Sequence, residues 1–435
     1  MDFPDTIFAL SSGGLPAGIA VVRMSGPHVR KALCSIAGGV PPARTARYAT
    51  LSNPADGSPI DRGLVLYFPG PHSVTGEDCG EFHLHGGRAV VAALLAALAG
   101  LPNFRMAEAG EFSRRAFLNG KMDLTAVEGL ADLIASETEA QRRLAVGNAS
   151  GRLRDLYMGW RDRITAMRAR IEADLDFSDQ EDVPEADPLL AAKIAALRGE
   201  IDAHVGLFRN SELIRDGFRV VILGAPNAGK SSLLNTLAMR DAAIVSDQPG
   251  TTRDLIEVSL DIGGDKVVVT DTAGVRAADN QIEAIGIGRA IETAAGADLI
   301  VHLIDMSAPE EVAVPPGPAA LRVGSKCDIG RSGGLPRVDV AVSVVTGEGL
   351  NELVDLLSRG VAESVGKTSE PLPFRERHVQ SLRLCRDHLT AGRDAPPELQ
   401  AEELRLASRN LGEIVGDLGT EELLGEIFSR FCIGK

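Results

Sequence analysis

Gly224-Ala225-Pro226-Asn227-Ala228-Gly229-Lys230-Ser231 decides the fold of a large part of this chain. The octapeptide satisfies GxxxxGK[ST], with the apolar run Phe218–Leu223 ahead of it and Ser232-Leu233-Leu234-Asn235-Thr236-Leu237 behind it. Strand, glycine-rich turn and helix in that order place backbone N–H groups around a phosphate at the positive end of the helix. Glycines let the backbone approach, Lys230 neutralises the β and γ oxygens, and the Ser231 hydroxyl is a ligand for Mg²⁺. Asn227, Ala228, Gly229 and Ser232 complete the phosphate-binding turn.

Working outward, two segments stand where a P-loop GTPase needs them. Asp271-Thr272-Ala273-Gly274 follows the apolar run Lys266–Thr270, placing Asp271 near the metal and the Gly274 N–H near the γ-phosphate. Gly250-Thr251-Thr252-Arg253 lies between the P-loop helix and that run, where a switch threonine closes on Mg²⁺. Ser325-Lys326-Cys327-Asp328 occupies the place of Asn-Lys-x-Asp, and Ser343-Val344-Val345 that of the usual Ser-Ala-x loop. Asp328 accepts from the N1 and N2 hydrogens of guanine, which adenine does not present; Ser325, shorter than Asn, is a departure that costs a base or P-loop contact. Where Ras-like proteins orient water with Gln, directly after Asp-x-x-Gly, this chain has Val275, which cannot do so. Glu283, in the segment Ala277–Ile287, is a carboxylate able to position water; the plainer reading is a solubilising surface charge.

The 435 residues suggest two to four domains. With 44% hydrophobic and 24% charged residues the chain is neither disordered nor collagen-like. The longest nearly uncharged run, Ala89–Leu101, is short of the roughly 20 residues a membrane span needs. Met1-Asp2-Phe3-Pro4-Asp5 lacks the basic start of a signal peptide, so the expectation is a cytoplasmic protein with no membrane partner. Acidic residues outnumber basic ones 60 to 45, a net charge of −15, which excludes a general nucleic-acid coat but not a local basic patch for RNA. Cys34, Cys79, Cys327, Cys385 and Cys432 are scattered and support neither a disulfide framework nor a zinc site.

Patterning divides the chain further. Residues 1–120 read as a mixed α/β domain, with strands at Ile19–Arg23 and Gly63–Phe68 and a buried helix at Ala89–Leu101. Residues 121–217 turn helical, and Leu153, Tyr157, Trp160, Ile164, Met167 and Ile171 form one apolar stripe. Arg154, Arg161 and Arg168 run beside it, either as a solvated face or as an RNA-facing stripe. Residues 218–367 alternate helices with strands at Phe218–Leu223, Lys266–Thr270, Leu299–Ile304 and Val338–Val345, a mostly parallel sheet. Residues 368–435 are helical again, with Leu404, Leu411, Ile414 and Leu418 on one helix and Thr420 as N-cap of another. The expected fold is a multidomain α/β chain: an N-terminal α+β domain, an all-helical domain of residues 121–217 and 368–435, and a Ras-like P-loop G domain inserted into it.

At this point the sequence resembles the MnmE (TrmE) family of tRNA-modifying GTPases from end to end. The resemblance rests on the P-loop with Asn227, Gly250-Thr251-Thr252-Arg253-Asp254, Asp271-Thr272-Ala273-Gly274, Ile282-Glu283-Ala284-Ile285-Gly286 and the terminal Phe431-Cys432-Ile433-Gly434-Lys435. Val22-Arg23-Met24-Ser25-Gly26, Thr75-Gly76-Glu77-Asp78, His85-Gly86-Gly87 and Phe117-Leu118-Asn119-Gly120-Lys121-Met122-Asp123-Leu124 add to it. The resemblance implies a GTPase activated by K⁺-dependent pairing of two G domains, with Asn227, Ser246, Gln248 and Thr251 around K⁺, Thr252 on Mg²⁺ and Glu283 orienting water. It implies a homodimer through an N-terminal domain that binds 5-formyltetrahydrofolate or a related one-carbon folate, with Arg23, Glu81, Lys121 and Lys435 as contacts. Gly13-Gly14-Leu15-Pro16-Ala17-Gly18 is less glycine-rich than the family's loop. Cys432 reads either as a free thiol at a helix end or as a thiol near the modification centre.

The activity so implied is modification of the wobble uridine of tRNA at C5, adding an aminomethyl or carboxymethylaminomethyl group from a folate one-carbon unit. A flavin-containing partner of the MnmG (GidA) type would join it in a heterotetramer and carry the FAD, since no GxGxxG fingerprint follows a strand here. Two rivals stand beside this reading: a GTP-switched ribosome-assembly factor without modification chemistry, and a membrane-remodelling GTPase. The first usually carries a basic appendage, and the second a lipid anchor; neither is visible in this sequence.

Overall fold

The computed structural model describes residues 3–176, 189–240, 256–271, 292–310, 312–330, 337–366, 371–417, 421–429, 431 and 434. The chain divides into two compact units, residues 1–131 with 149–166 and 408–435, and residues 132–148 with 167–407.

The first unit is built on strands β1 (Thr6–Leu10), β2 (Ala17–Ser25), β3 (Arg47–Ser52), β4 (Pro59–Phe68), β5 (Cys79–Gly86) and β6 (Phe104–Met106), in the order β3-β4-β5-β2-β1-β6. Its pairings are antiparallel except β1 with β6. Alternation sets the faces. Phe82 and Leu84 of β5 and Val22 and Met24 of β2 enter a core with helices α1 (Val29–Ala37) and α2 (Arg88–Ala99), while Arg23, Glu81 and His83 take the opposite face. The helix expected at Ala89–Leu101 is α2, but it buries one face only, through Val91, Leu94, Ala97 and Leu98. Its remaining alanines meet solvent: an all-apolar composition shows no moment from which to read a face.

Four helices follow, α3 (Glu111–Leu118), α4 (Leu124–Ala135), α5 (Glu139–Ala149) and α6 (Arg152–Asp176), and the terminal helix α13 (Glu421–Ser429) returns to α3, with Phe428 against Phe117. All six residues of the α6 stripe are buried. The arginines beside it favour the solvated-face reading: Arg154 is exposed, Arg161 pairs with Asp417, and Arg168 pairs with Glu172 at 3.0 Å.

The second unit holds α7 (Leu190–Gly206), α8 (Phe208–Asp216), α11 (Glu376–Gly392) and the sheet β7 (Phe218–Gly224), β8 (Ile256–Ile262), β9 (Asp265–Asp271), β10 (Leu299–Asp305), β11 (Ala319–Ser325) and β12 (Val340–Ala341). The order is β12-β11-β10-β7-β9-β8, parallel throughout except for the β8–β9 hairpin. Val220 and Ile222 face a core with helices α9 (Lys230–Arg240) and α10 (Leu350–Val365), Val221 and Leu223 a second one with Ala294 and Ile300. Burial on both faces is what unbroken runs such as Val220-Val221-Ile222-Leu223 require.

The strands at 218, 266 and 299 stand as expected, and β8 and β11 join them. The expected strand Val338–Val345 shrinks to Val340–Ala341, because Ser343 Oγ accepts the N–H groups of Val345 and Thr346 and turns the chain. On α12 (Pro397–Val415), Leu404, Leu411 and Ile414 are buried; Leu418 and Thr420 lie outside the described residues. No helix among the described residues is long and apolar enough to cross a membrane. Among them Cys34, Cys79, Cys327 and Cys385 are free thiols, and burial pushes Cys385 up to about 12.

One buried group makes the second unit sensitive to acid. Burial, and secondarily the charge of His378, lowers the pKa of His204 on α7 from 6.5 to about 4. The folded chain keeps this imidazole neutral, so unfolding takes up a proton between those values and stability falls as pH falls. Urea unfolding is expected to show a loss of about 2 kcal/mol between pH 7.5 and pH 5. A His204→Asn chain should lose most of that slope; an unchanged slope would place the acid sensitivity elsewhere.

Candidate nucleotide site

β7 delivers the chain to the P-loop, and steric closeness fixes its glycine: a Cβ at Gly224 would stand 2.4 Å from the Leu303 carbonyl oxygen. Asn227 and Gly229 take positive φ, 63° and 95°, which wraps the turn into a concave row of N–H groups before α9 begins at Lys230. Lys230 Nζ donates to the carbonyls of Gly224 at 2.8 Å and Ala225 at 2.9 Å, so the ammonium closes the loop it serves. Burial pushes its pKa down, against the pull of Asp271.

Parallel pairing sets Asp271 opposite Ile222, at the end of β9 beside the P-loop. Ser231 Oγ donates to its Oδ2 at 2.5 Å, and Asp271 is fully buried. A hydroxyl and a carboxylate converging next to a phosphate turn are the hard oxygen donors that Mg²⁺ selects. Among the described residues no group of three His, Cys, Asp or Glu forms a metal cluster of its own.

Beside the P-loop lies a cavity of about 210 Å³ lined by Ala228, Gly229, Ser325, Lys326, Asp328, Val344 and their neighbours. Asp328 is exposed at its rim. The departure at Ser325 resolves simply: its hydroxyl donates to the Ala228 carbonyl at 2.7 Å, so the P-loop contact is kept. Lys326 has φ 58°, and its Nζ is paired with Asp305 Oδ2 at 2.6 Å. Ser343 is fully buried and holds the turn that carries Val344. Asp305 was not singled out by the sequence; the signal available was an acidic residue closing an apolar strand, Leu299–Asp305.

Several expected contributors, Ser246, Gln248, Thr251, Thr252, Thr272, Ala273, Gly274 and Glu283, lie outside the described residues, as do Cys432 and Lys435.

In the first unit, Arg23 and Glu81 are opposite in register and use their charges on each other, Nε to Oε1 at 2.9 Å, while Glu81 Oε2 meets His83 at 3.0 Å. Burial alone would raise the Glu81 carboxyl; His83 and Arg23 outweigh it and hold the pKa below its ordinary value. Lys121 is exposed, with its stem beside Gly76, where an added Cβ would stand 3.1 Å from Lys121 Cε. Ser11 Oγ donates to the Gly434 carbonyl at 2.7 Å, which brings the chain end to the corner between β1 and β2. Among these residues the structure joins Arg23 and Glu81 directly on one sheet face.

Comparison with known proteins covers both units. The family described as the MnmE helical domain matches residues 124–432, and that of the GTP-binding protein TrmE N-terminus matches residues 6–121. The tRNA modification GTPase MnmE of Chelativorans sp. (strain BNC1) is 53% identical over 99% of this chain and 98% of its own. That of Brucella anthropi is 53% identical over the same shares, and that of Brucella canis 52% identical over 100% and 99%. Among solved structures, a variant of Aquifex aeolicus Era bound to GDP·AlF4⁻ is similar over 41% of this chain and 69% of that one, at 22% identity and a TM-score of 0.27.

Proposed function

This chain belongs to the MnmE family of tRNA modification GTPases, and on that premise we propose a K⁺-activated, Mg²⁺-dependent GTP hydrolase that modifies the wobble uridine of tRNA at C5 together with a flavin-carrying MnmG-type partner. The observation that supports its nucleotide-hydrolysing part is one assembly: Lys230 bound to the Gly224 and Ala225 carbonyls, Ser231 on Asp271, and Ser325 on Ala228 beside a cavity.

The chain's own groups divide the work. The N–H groups from Asn227 to Ser232 and the Lys230 ammonium hold the phosphates, and Asp328, with Lys326, Ser343 and Val344 around it, selects guanine. Ser231 and Thr252 would hold Mg²⁺, with Asp271 accepting from the Ser231 hydroxyl, and the ion would draw charge from the γ-phosphate oxygens. Asn227, Ser246, Gln248 and Thr251 would hold K⁺, which would supply the positive charge that an arginine finger gives elsewhere. Because Val275 follows Asp-x-x-Gly, Glu283 orients the attacking water.

Arg23, Glu81, Lys121 and Lys435 bind the one-carbon folate in the N-terminal domain, residues 1–120, which makes the homodimer. The ion pair between Arg23 and Glu81 opens to admit it, the arginine taking a glutamate carboxylate and Glu81 the pterin N–H groups. Residues 121–217 with 368–435 are the helical domain and 218–367 the G domain. Cys432 keeps both readings, a free thiol at a helix end or a thiol near the modification centre, and the enzyme works in the cytoplasm.

GTP turnover in KCl against NaCl at matched ionic strength tests this reading, with Glu283→Ala alongside. Stimulation by K⁺ of roughly tenfold or more, lost in Glu283→Ala, is the expected result. Equal rates in the two salts would remove the K⁺ role of Asn227.

A further inference from the structure

Behind the base cavity, and outside its lining, stands Asp305, the last residue of β10. Its position is set by the sheet: Asp305 is opposite Ser325 in the parallel β10–β11 register, one residue before Lys326. Its carboxylate is fixed from both sides. The Ser307 N–H donates to Oδ1 at 2.9 Å and the Ser307 hydroxyl at 2.6 Å, while Oδ2 receives the Lys326 ammonium at 2.6 Å. Its side chain is 12% exposed, and that of Lys326 32%.

We propose that Asp305 is a positioning residue of the guanine site, acting through Lys326. The inference rests on the reading of this site as a GTP site. Lysine is a poor choice for a rigid wall: four rotatable bonds leave its stem disordered unless the head is held. Here the head is held at the far side of the cavity lining, so the stem is arranged before the nucleotide arrives and binding orders less. The backbone turns at the same place: Lys326, directly after β11, takes φ 58°.

A second effect is exclusion. Asp328 is the acceptor for the guanine N–H groups and lies two residues from Lys326. An unheld ammonium is drawn to that carboxylate and competes with the base for it; pairing with Asp305 keeps Asp328 open. Asp305 is thus the counter-charge that separates the two functional residues of one tetrapeptide.

The test is a double-mutant cycle on the full chain, with GDP as the probe and the nucleotide-free melting temperature as the check on folding. Asp305→Ala is expected to weaken GDP binding about tenfold, the size of one charge-assisted hydrogen bond, with KM for GTP rising in step. Lys326→Met, which keeps the stem, should weaken it by a comparable factor. The chain carrying both should bind no more weakly than Lys326→Met alone, because Asp305 has nothing left to act through. Independent factors that multiply in the double variant, or Asp305→Ala binding GDP as the native chain does, would overturn the proposal. If Asp305→Ala melts early without nucleotide, the same cycle is read with Asp305→Asn, which retains acceptor capacity for Ser307. Failure of the native chain to bind GDP would instead sink the nucleotide site itself, and this proposal with it.

Discussion

Chains carrying Lys230→Ala are expected to turn over GTP about 10³-fold more slowly than the native chain in saturating Mg²⁺ and K⁺, a loss of the size seen when one preorganised charge-stabilising donor is removed. The argument is geometric. Lys230 begins α9, is 8% exposed, and reaches back over the turn to the carbonyls of Gly224 and Ala225. A phosphate seated on the N–H groups of that turn meets the ammonium with no rearrangement of the backbone, so the charge is in place before the reaction begins. Alanine removes the charge and leaves the two carbonyls without their donor, yet touches neither sheet core nor helix packing. Melting of the nucleotide-free chain should therefore change little while phosphate release collapses. Turnover within threefold of native would mean that the γ-phosphate is stabilised from elsewhere and that the P-loop serves binding alone.

The parts of this site that the sequence announced share one property: their contacts are local, or are forced by local backbone shape. Gly224, Asn227, Gly229, Lys230 and Ser231 lie within eight residues and need a turn that few other sequences make. The tetrapeptide from Ser325 to Asp328 was legible for the same reason, although what Ser325 does was not, since Ala228 is 97 residues away in sequence. Asp305 was invisible because an acidic residue at the end of a strand is what any soluble sheet shows. Its meaning comes from parallel pairing with β11, a register that periodicity does not specify. β8 was missed for a different reason: Ile256–Ile262 carries charges at Glu257 and Asp261, as an edge strand should, and so lacks the apolar run that marked the central strands.

The N-terminal unit shows the limit most sharply at Arg115, the last residue of α3 that a sequence reading would put in a core. Its side chain is 1% exposed. It donates to Asp5 Oδ1 at 2.7 Å, Glu111 Oε1 at 3.1 Å and Glu77 Oε1 at 3.1 Å, and lies 4.4 Å from the centre of the Phe3 ring. Arg105 serves Asp5 and Glu111 as well, while Glu77 also accepts from Ser25 Oγ at 2.6 Å. Arg115 is thus the common partner of three carboxylates, Glu111 one turn back on its own helix and Asp5 and Glu77 from two distant stretches of the chain.

Replacing Arg115 by Met fills a similar volume but strands those carboxylates, Glu77 most of all. The expected cost is about 3–5 kcal/mol, the range for breaking a buried ion pair from one side, or roughly 10 °C in the melting of this unit. Arg154 is exposed in the same unit, so Arg154→Met is the control that should leave the melting temperature in place.

The pH dependence separates this from a simple packing defect. In the native chain burial alone would raise the carboxyls of Asp5 and Glu111, and the arginines outweigh it, holding both below their ordinary values. That stabilisation is present above the unfolded carboxylate range and is lost as pH falls through it. In Arg115→Met the same buried groups titrate higher, so the folded variant takes up protons first and regains stability on acidification. The gap between native and variant should be widest near pH 7 and narrow towards pH 4. A gap that stays constant with pH would reduce Arg115 to a space-filling residue, and a variant melting within 2 °C of native at pH 7 would mean that Arg105 alone suffices to hold the cluster.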